Sequence, residues 1–268
     1  MNLIFGALAP KVDKRDYMIA AGASQLPDSY SIPYLPPVKN QKNVSSCVAH
    51  AAAIITEYFH KMETNKEEAM STDFIYGMQG VAYNRKSKGM YLRDACKILK
   101  NYGNLLQERL KTNTEQPECS EYLEKILTDE LKWAAALNKV KSYAQCKGID
   151  NIKHALVNYG PLLASVNWHK ECEITDEGMA FMDYDSPYGR HAIVIYGYDE
   201  RGWLCQNSWG ESFAKNGRFI LPYTEEFNEV WSFIDAENND VHKPVNNSFF
   251  DIIYKLINSI INLFKGRA

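Results

Sequence analysis

Four side chains in this 268-residue chain have the types and spacing for thiol chemistry: Gln41, Cys47, His191 and Asn207. Cysteine attacks as a thiolate, and its pKa falls at a helix N-terminus and beside an imidazolium, because both fields stabilise the negative sulfur. The run SSCVAHAAAIITEYFHKM from Ser45 places Ala and Ile at helical spacing, with Ser45 or Ser46 as N-cap, so Cys47 is predicted in the first turn of a largely buried helix. His191 opens the strand-like run HAIVIYGY and would be held rigidly opposite that helix. Asn207, sixteen residues on, offers an amide oxygen to the imidazole N–H and would fix its tautomer. Gln41, six residues before Cys47, can join the Cys47 backbone N–H as a pair of oxyanion donors.

The elements that must position these residues divide the chain in two. Residues 1–24 form an arm, and Pro27, Pro33, Pro36 and Pro37 keep its continuation extended. Helical patterns occupy the segment after Ser45 and about 71–79, 91–101 and 120–137. Beyond residue 139, KVKSYAQC alternates, a short helix spans 150–158, and GPLLASVNWH, HAIVIYGYD, GWLCQNSWG and GRFILPY follow as β-rich runs between turns. A helical half followed by a strand half predicts an α+β protein of two lobes with a groove between them. Residues 237–248 are a polar linker, and from Phe249 the apolar residues recur at three and four, an amphipathic helix over 249–265. With only Lys255 and Lys265 on its polar face, that helix is expected to dock on protein, its own or a partner's, ahead of a membrane surface.

Composition removes other classes. Thirty Lys and Arg against 33 Asp and Glu leave a net charge of −3, so no global positive field recruits nucleic acid. Six cysteines with no CxxC pair exclude a disulfide framework and a zinc site, and no metal or cofactor is expected. The N-terminus has no signal-peptide pattern and no apolar run is long enough to span a bilayer, which predicts a cytoplasmic chain with reduced thiols. Cys96, Cys119, Cys146, Cys172 and Cys205 are read as structural; His50, one turn from Cys47, is read as a hydrogen-bonded core histidine rather than a tuner of the thiol; His154 and His169 have no second ligand nearby.

The ordered set Gln41-Lys-Asn-Val-Ser-Ser-Cys47, His191-Ala192 and Asn207-Ser208-Trp209-Gly210 resembles the papain-type cysteine peptidases of family C1, in their bacterial or phage-like branch, over about residues 25–236. The resemblance implies a papain-like two-lobed fold, a helical left lobe and a β-barrel-like right lobe, with the C-terminal helix appended. It implies a cysteine-type peptidase: Cys47 attacks a peptide carbonyl, His191 pairs with the thiolate and then protonates the leaving amine, Asn207 orients His191, Gln41 stabilises the oxyanion, and Trp209 shields the Asn207–His191 bond. Two alternatives stay open, a catalytically silent binding module and an acyl transferase using the same thioester.

Departures from the family pattern are Ser45 for a glycine, Val48 for a tryptophan and Val44 for a cysteine, together with Arg190 before the histidine, a cation expected to lower the His191 pKa. Gly89, in KSKGMYLRDA, is the candidate for the edge that binds extended substrate, and Ala192 and Ala164 for pocket residues. Residues 1–25 are too short for the family's long propeptide, which leaves the C-terminal helix as a candidate occupant of the groove.

Overall fold

The computed structural model describes residues 4–20, 25–84, 88–110 and 125–234. The linker and C-terminal helix expected over 237–265, and Cys119, lie outside the described residues.

The first half is helical. Helix α1 (Cys47–Thr64) starts directly after Ser46 and ends where Asn65 turns left-handed and donates its N–H to the Lys61 carbonyl. Every residue from Cys47 to His60 is buried, and the small side chains Ala49, Ala51, Ala52 and Ala53 let other elements approach this helix from all sides. Helix α2 (Thr72–Tyr83) is capped by Ser71, whose hydroxyl accepts the Phe74 N–H. Helix α3 (Leu92–Asn101) is amphipathic, with Leu92, Ala95, Cys96, Ile98 and Leu99 inward. The helical pattern expected over 120–137 is realised within the described residues as the short α4 (Asp129–Ala135), capped by Thr128.

The second half is a sheet. Its strands are β1 (Tyr30–Ser31), β2 (Ser142–Cys146), β3 (Leu162–His169), β6 (Tyr188–Asp199), β7 (Gly202–Gln206), β8 (Arg218–Pro222) and β9 (Phe227–Ile234). The order is β2-β9-β3-β6-β7-β8, all antiparallel, with β1 added on β6. Helix α5 (Ile149–Tyr159) packs on β9 and β6, and β4 (Cys172–Ile174) pairs with β5 (Ala180–Met182) as a separate ribbon. The expected barrel-like lobe is thus a coiled open sheet, not a closed barrel, among the described residues.

Strand alternation gives the sheet two buried faces. Leu163, Ala192, Val194, Trp231 and Phe233 pack against α1, α2 and α3, while Ala164, Ile193, Ile195, Trp168 and Val230 form a second core on the far side. The groove between the lobes is where the start of α1 meets β6. No helix among the described residues is long and apolar enough to cross a membrane, and no cluster of His, Cys, Asp or Glu among them has the geometry to hold a metal ion.

Candidate active site

The four residues selected from spacing converge on this groove. Cys47 is the first residue of α1, so its sulfur sits at the positive end of the helix. The backbone N–H of Ala192 donates to Cys47 Sγ at 3.4 Å, which brings β6 and α1 together at the residue adjoining His191. His191 Nε2 and Asn207 Oδ1 are 2.7 Å apart. An amide oxygen accepts, so Nε2 carries the proton of the neutral ring and Nδ1, buried and without a hydrogen-bond partner, is its basic atom. Trp209 stacks on the imidazole at 4.2 Å between centroids, and Trp168 meets both rings edge-on. This indole wall excludes water from the His191–Asn207 bond, which strengthens it.

Gln41 is held by a residue the spacing argument did not single out. Ser208 Oγ donates to Gln41 Oε1 at 2.6 Å, and the Gln41 N–H donates to the Ser208 carbonyl at 2.8 Å. Fixing Oε1 turns Nε2 toward the groove, where it donates to the Val44 carbonyl at 3.0 Å and to the Ile4 carbonyl at 3.1 Å. The loop carrying Gln41 is pinned to α1 by a partly buried ion pair, Lys39 Nζ to Glu57 Oε1 at 2.6 Å.

Ile4 belongs to the N-terminal arm, and the arm fills the groove. The Ala7 N–H donates to the Arg190 carbonyl at 3.1 Å; Met90 donates to Gly6 at 2.8 Å and accepts from Leu8 at 3.0 Å. Ala7 and Met90 therefore pair as a parallel bridge. Phe5 packs on His191 and Trp209 and covers the bare backbone of Gly189. Gly6 lies against the Ser45 carbonyl with no room for a side chain. The groove position given to the C-terminal helix by the sequence is taken by Ile4–Leu8. Further along, the arm is fastened by Arg93, which pairs with Asp13 at 2.7 Å and Asp16 at 2.6 Å, and by hydrogen bonds of Tyr17 and Ile19 to Gln145.

Covered in this way, Cys47 and His191 are both fully buried. Burial pushes the thiol up to about 11, only partly offset by the N–H groups of Ala192, Gly6 and Val48. Burial also brings His191 down to about 4, opposed by its hydrogen bond to Asn207. With the arm seated, burial pushes both groups toward their neutral forms, against the thiolate–imidazolium pair implied by the resemblance. Arg190 is not the cause of the low His191 value, because neighbouring residues of a strand point to opposite faces.

The remaining expectations divide. Gly89 does sit at the groove edge, with Met90 beside it making the backbone bonds. Ala192 faces the groove side of the sheet, whereas Ala164 faces the opposite core. Val48 is buried in the core and Ser45 borders the arm. His50 contacts the Ser46 carbonyl at 3.0 Å and its hydroxyl at 3.2 Å, a hydrogen-bonded core histidine that burial lowers to about 4. Cys96, Cys146 and Cys205 are buried, and burial raises all three thiols.

Comparison with known proteins agrees with this fold. Residues 28–230 match the model of the papain family of cysteine proteases. An uncharacterized peptidase C1-like protein of Acanthamoeba polyphaga mimivirus is 24% identical over 98% of this chain and 96% of its own length. Mouse cathepsin K is 26% identical over 70% of this chain, which spans 56% of that protein. Among solved structures, xylellain, a cysteine protease from Xylella fastidiosa, superposes with a TM-score of 0.73 at 21% identity, covering 87% of this chain and 96% of that one. The digestive procathepsin L 3 of Tenebrio molitor larval midgut gives 0.62 at 14% identity, covering 82% and 73%. The chain belongs to the papain family of cysteine proteases.

Proposed function

We propose that this protein hydrolyses peptide bonds through an acyl-enzyme on Cys47, and that residues 4–8 hold it latent. The observation that carries the reading is the pairing of β6 with the start of α1: Ala192 N lies 3.4 Å from Cys47 Sγ while the adjoining His191 is locked to Asn207 at 2.7 Å.

Once residues 4–8 leave, a substrate carbonyl takes the place of the Ile4 carbonyl, with its oxygen on Gln41 Nε2 and the Cys47 N–H. His191 Nδ1 takes the thiol proton and Sγ adds to the carbonyl carbon. The oxyanion is stabilised by donors already oriented in a dry site. As the C–N bond breaks, His191 returns the proton to the departing amine, leaving a thioester. Water, deprotonated by the same nitrogen, then releases the acid and regenerates the thiol. Asn207 holds the ring through both proton transfers, and Ser208 holds the Gln41 amide.

A fluorogenic peptide panel tests this on full-length Gly6→Val, in which a side chain at residue 6 collides with the Ser45 carbonyl and displaces the arm: it should turn over at least one member, and adding Cys47→Ala should abolish turnover without loss of fold. Absence of turnover by Gly6→Val, with Cys47 inert to an epoxysuccinyl peptide, contradicts it. The second reading, a silent binding module, draws on the burial of Cys47 and His191, which disfavours the charged form of each. It predicts that Cys47→Ala retains peptide binding and phenotype. Acyl transfer to an amine would appear as amide product when an amine nucleophile is added to the same assay.

A further inference from the structure

Behind the loop that carries Gln41 lies a cavity of about 900 Å³ whose lining includes none of Gln41, Cys47, His191 or Asn207. One wall is Lys39 and Asn40, the two residues before Gln41, and another is the start of α2 with Thr72 and Asp73. The floor is α1, whose His50 and Glu57 lie two turns apart on one face and are both buried. A volume near the upper end of the ligand-site range, about 300–1,000 Å³, is thus built from three separate elements and stands outside the groove that the arm fills.

Its lining is acidic. Five carboxylates, Glu57, Glu67, Glu68, Asp73 and Glu108, face two ammonium groups: Lys39, on Glu57 at 2.6 Å, and Lys61 at the edge, 3.3 Å from Glu67. Even with His60, which donates to Glu68 at 2.8 Å, counted as a cation, the carboxylates outnumber the cations. The positive end of α2 is worth about half a charge and does not cancel the excess. Deep in the cavity, polar atoms are also left over. Lys39 and the Met70 N–H both use Glu57 Oε1, so Oε2 has no hydrogen-bond partner among the described residues. The Thr72 hydroxyl, two residues after Met70, has none among them either, although Thr72 is only 8% exposed. Buried oxygens without donors are costly unless a guest or water supplies one.

The distribution of these groups selects the guest. No three His, Cys, Asp or Glu side chains among the described residues meet at one point as a metal ion requires, so the negative charge is spread along the walls. Backbone groups of the walls are committed elsewhere: the Lys39 carbonyl accepts from Gly210 at 3.0 Å, the Ala69 carbonyl from Gln107 at 2.8 Å, and the Ser71 N–H donates to Leu105 at 2.7 Å. The walls therefore offer side-chain oxygens rather than an open strand edge for a peptide main chain. The apolar part of the lining is Pro37, Val38, Leu110 and Tyr34, whose ring has the Lys61 ammonium 5.6 Å from its centre. Apolar surface between separated anionic points matches methylenes between ammonium groups. We infer that this cavity binds a linear polyamine, an aliphatic chain with three or more ammonium groups, its inner end at Glu57 and Thr72 and its outer end at Glu67 and Glu108. Lys39 shares Glu57 with that guest, so occupancy acts on the loop that presents Gln41. A catalytically silent chain would bind the same ligand, so the site stands apart from the peptidase reading.

The test is isothermal titration of the full-length chain with spermine and with putrescine at low salt. Spermine should fill one site, bind about tenfold or more tighter than the shorter diamine, and weaken in about 0.5 M sodium chloride. The double variant Glu67→Gln/Glu108→Gln, at the exposed rim, should weaken spermine about tenfold. Glu171→Gln/Glu173→Gln, equally exposed but outside the cavity, should leave it unchanged. Equal weakening by the two double variants would mean diffuse surface attraction and overturns the inference. Absence of binding, displacement of spermine by equimolar magnesium, or tighter binding of acetyl-tetralysine-amide than of spermine overturns it as well.

Discussion

Gly6 and the Ser45 carbonyl touch so closely that a β-carbon at residue 6 would collide with that oxygen. The contact places the arm's backbone over Cys47 and explains how a short segment covers the site: it meets bare backbone at Gly89 and Gly189 and contributes a glycine of its own. Gly6→Val in the full chain should lift residues 4–8 out of the groove. Forcing a side chain into such a contact costs about 1–3 kcal/mol, a shift of about five- to 150-fold in the open population. Peptidase turnover should rise by a factor in that range, and an unchanged or lower rate would show that the arm does not limit access.

Proton linkage gives the same latch a pH dependence. His191 is held at about 4 in the covered state against an ordinary value of 6.5, so the uncovered state binds more protons between those values. The stability that this group gives the covered form is complete above about pH 6.5 and is lost as pH falls toward 4. Hydrogen exchange of the peptide containing residues 4–8, corrected for intrinsic rates, should show weaker protection at pH 5 than at pH 7.5. Greater protection at pH 5 would reverse the sign.

Asn207 Oδ1 meets His191 Nε2 at 2.7 Å and also accepts the Ser208 N–H at 2.6 Å, so it reaches the reacting atoms only through these neighbours. Asn207→Ala should lower kcat by about one to two orders of magnitude with little change in KM, since no substrate contact is removed. A variant that changes KM and spares kcat would assign Asn207 to binding.

Lys39 and Glu57 tie the Gln41 loop to α1 in a largely buried pair, and burial raises the Glu57 carboxyl. Lys39→Met leaves that carboxylate with only the Met70 N–H and should cost about 2–3 kcal/mol of stability, read by urea denaturation at pH 7. A loss below about 1 kcal/mol, the range of exposed pairs, would mean the pair is effectively solvated.

Much of the site was legible because local rules specify it. Small apolar residues after a capping serine start a helix at Cys47, and an apolar run bounded by turns makes a strand at His191. The spacing from His191 to Asn207 appears as a hydrogen bond, and Gln41 lies on the loop that leads into α1. The arm was not legible, because Ile4–Leu8 has no periodicity and its partners, Met90 and Arg190, are distant in sequence. The sequence neighbour of His191 misled for a related reason: adjacency along a strand separates side chains across the sheet, so Arg190 is not the charge that sets its pKa.

The central claim is that Cys47 becomes the reactive thiol once residues 4–8 leave the groove. The most direct measurement is peptide mapping after exposure of full-length Gly6→Val and native chains to an epoxysuccinyl peptide at pH 6.5. A single adduct on Cys47, forming about fivefold or more faster in Gly6→Val and absent after His191→Ala, is the expected result. Adducts spread over the other cysteines, or equal labelling of Cys47 in all three proteins, would contradict it.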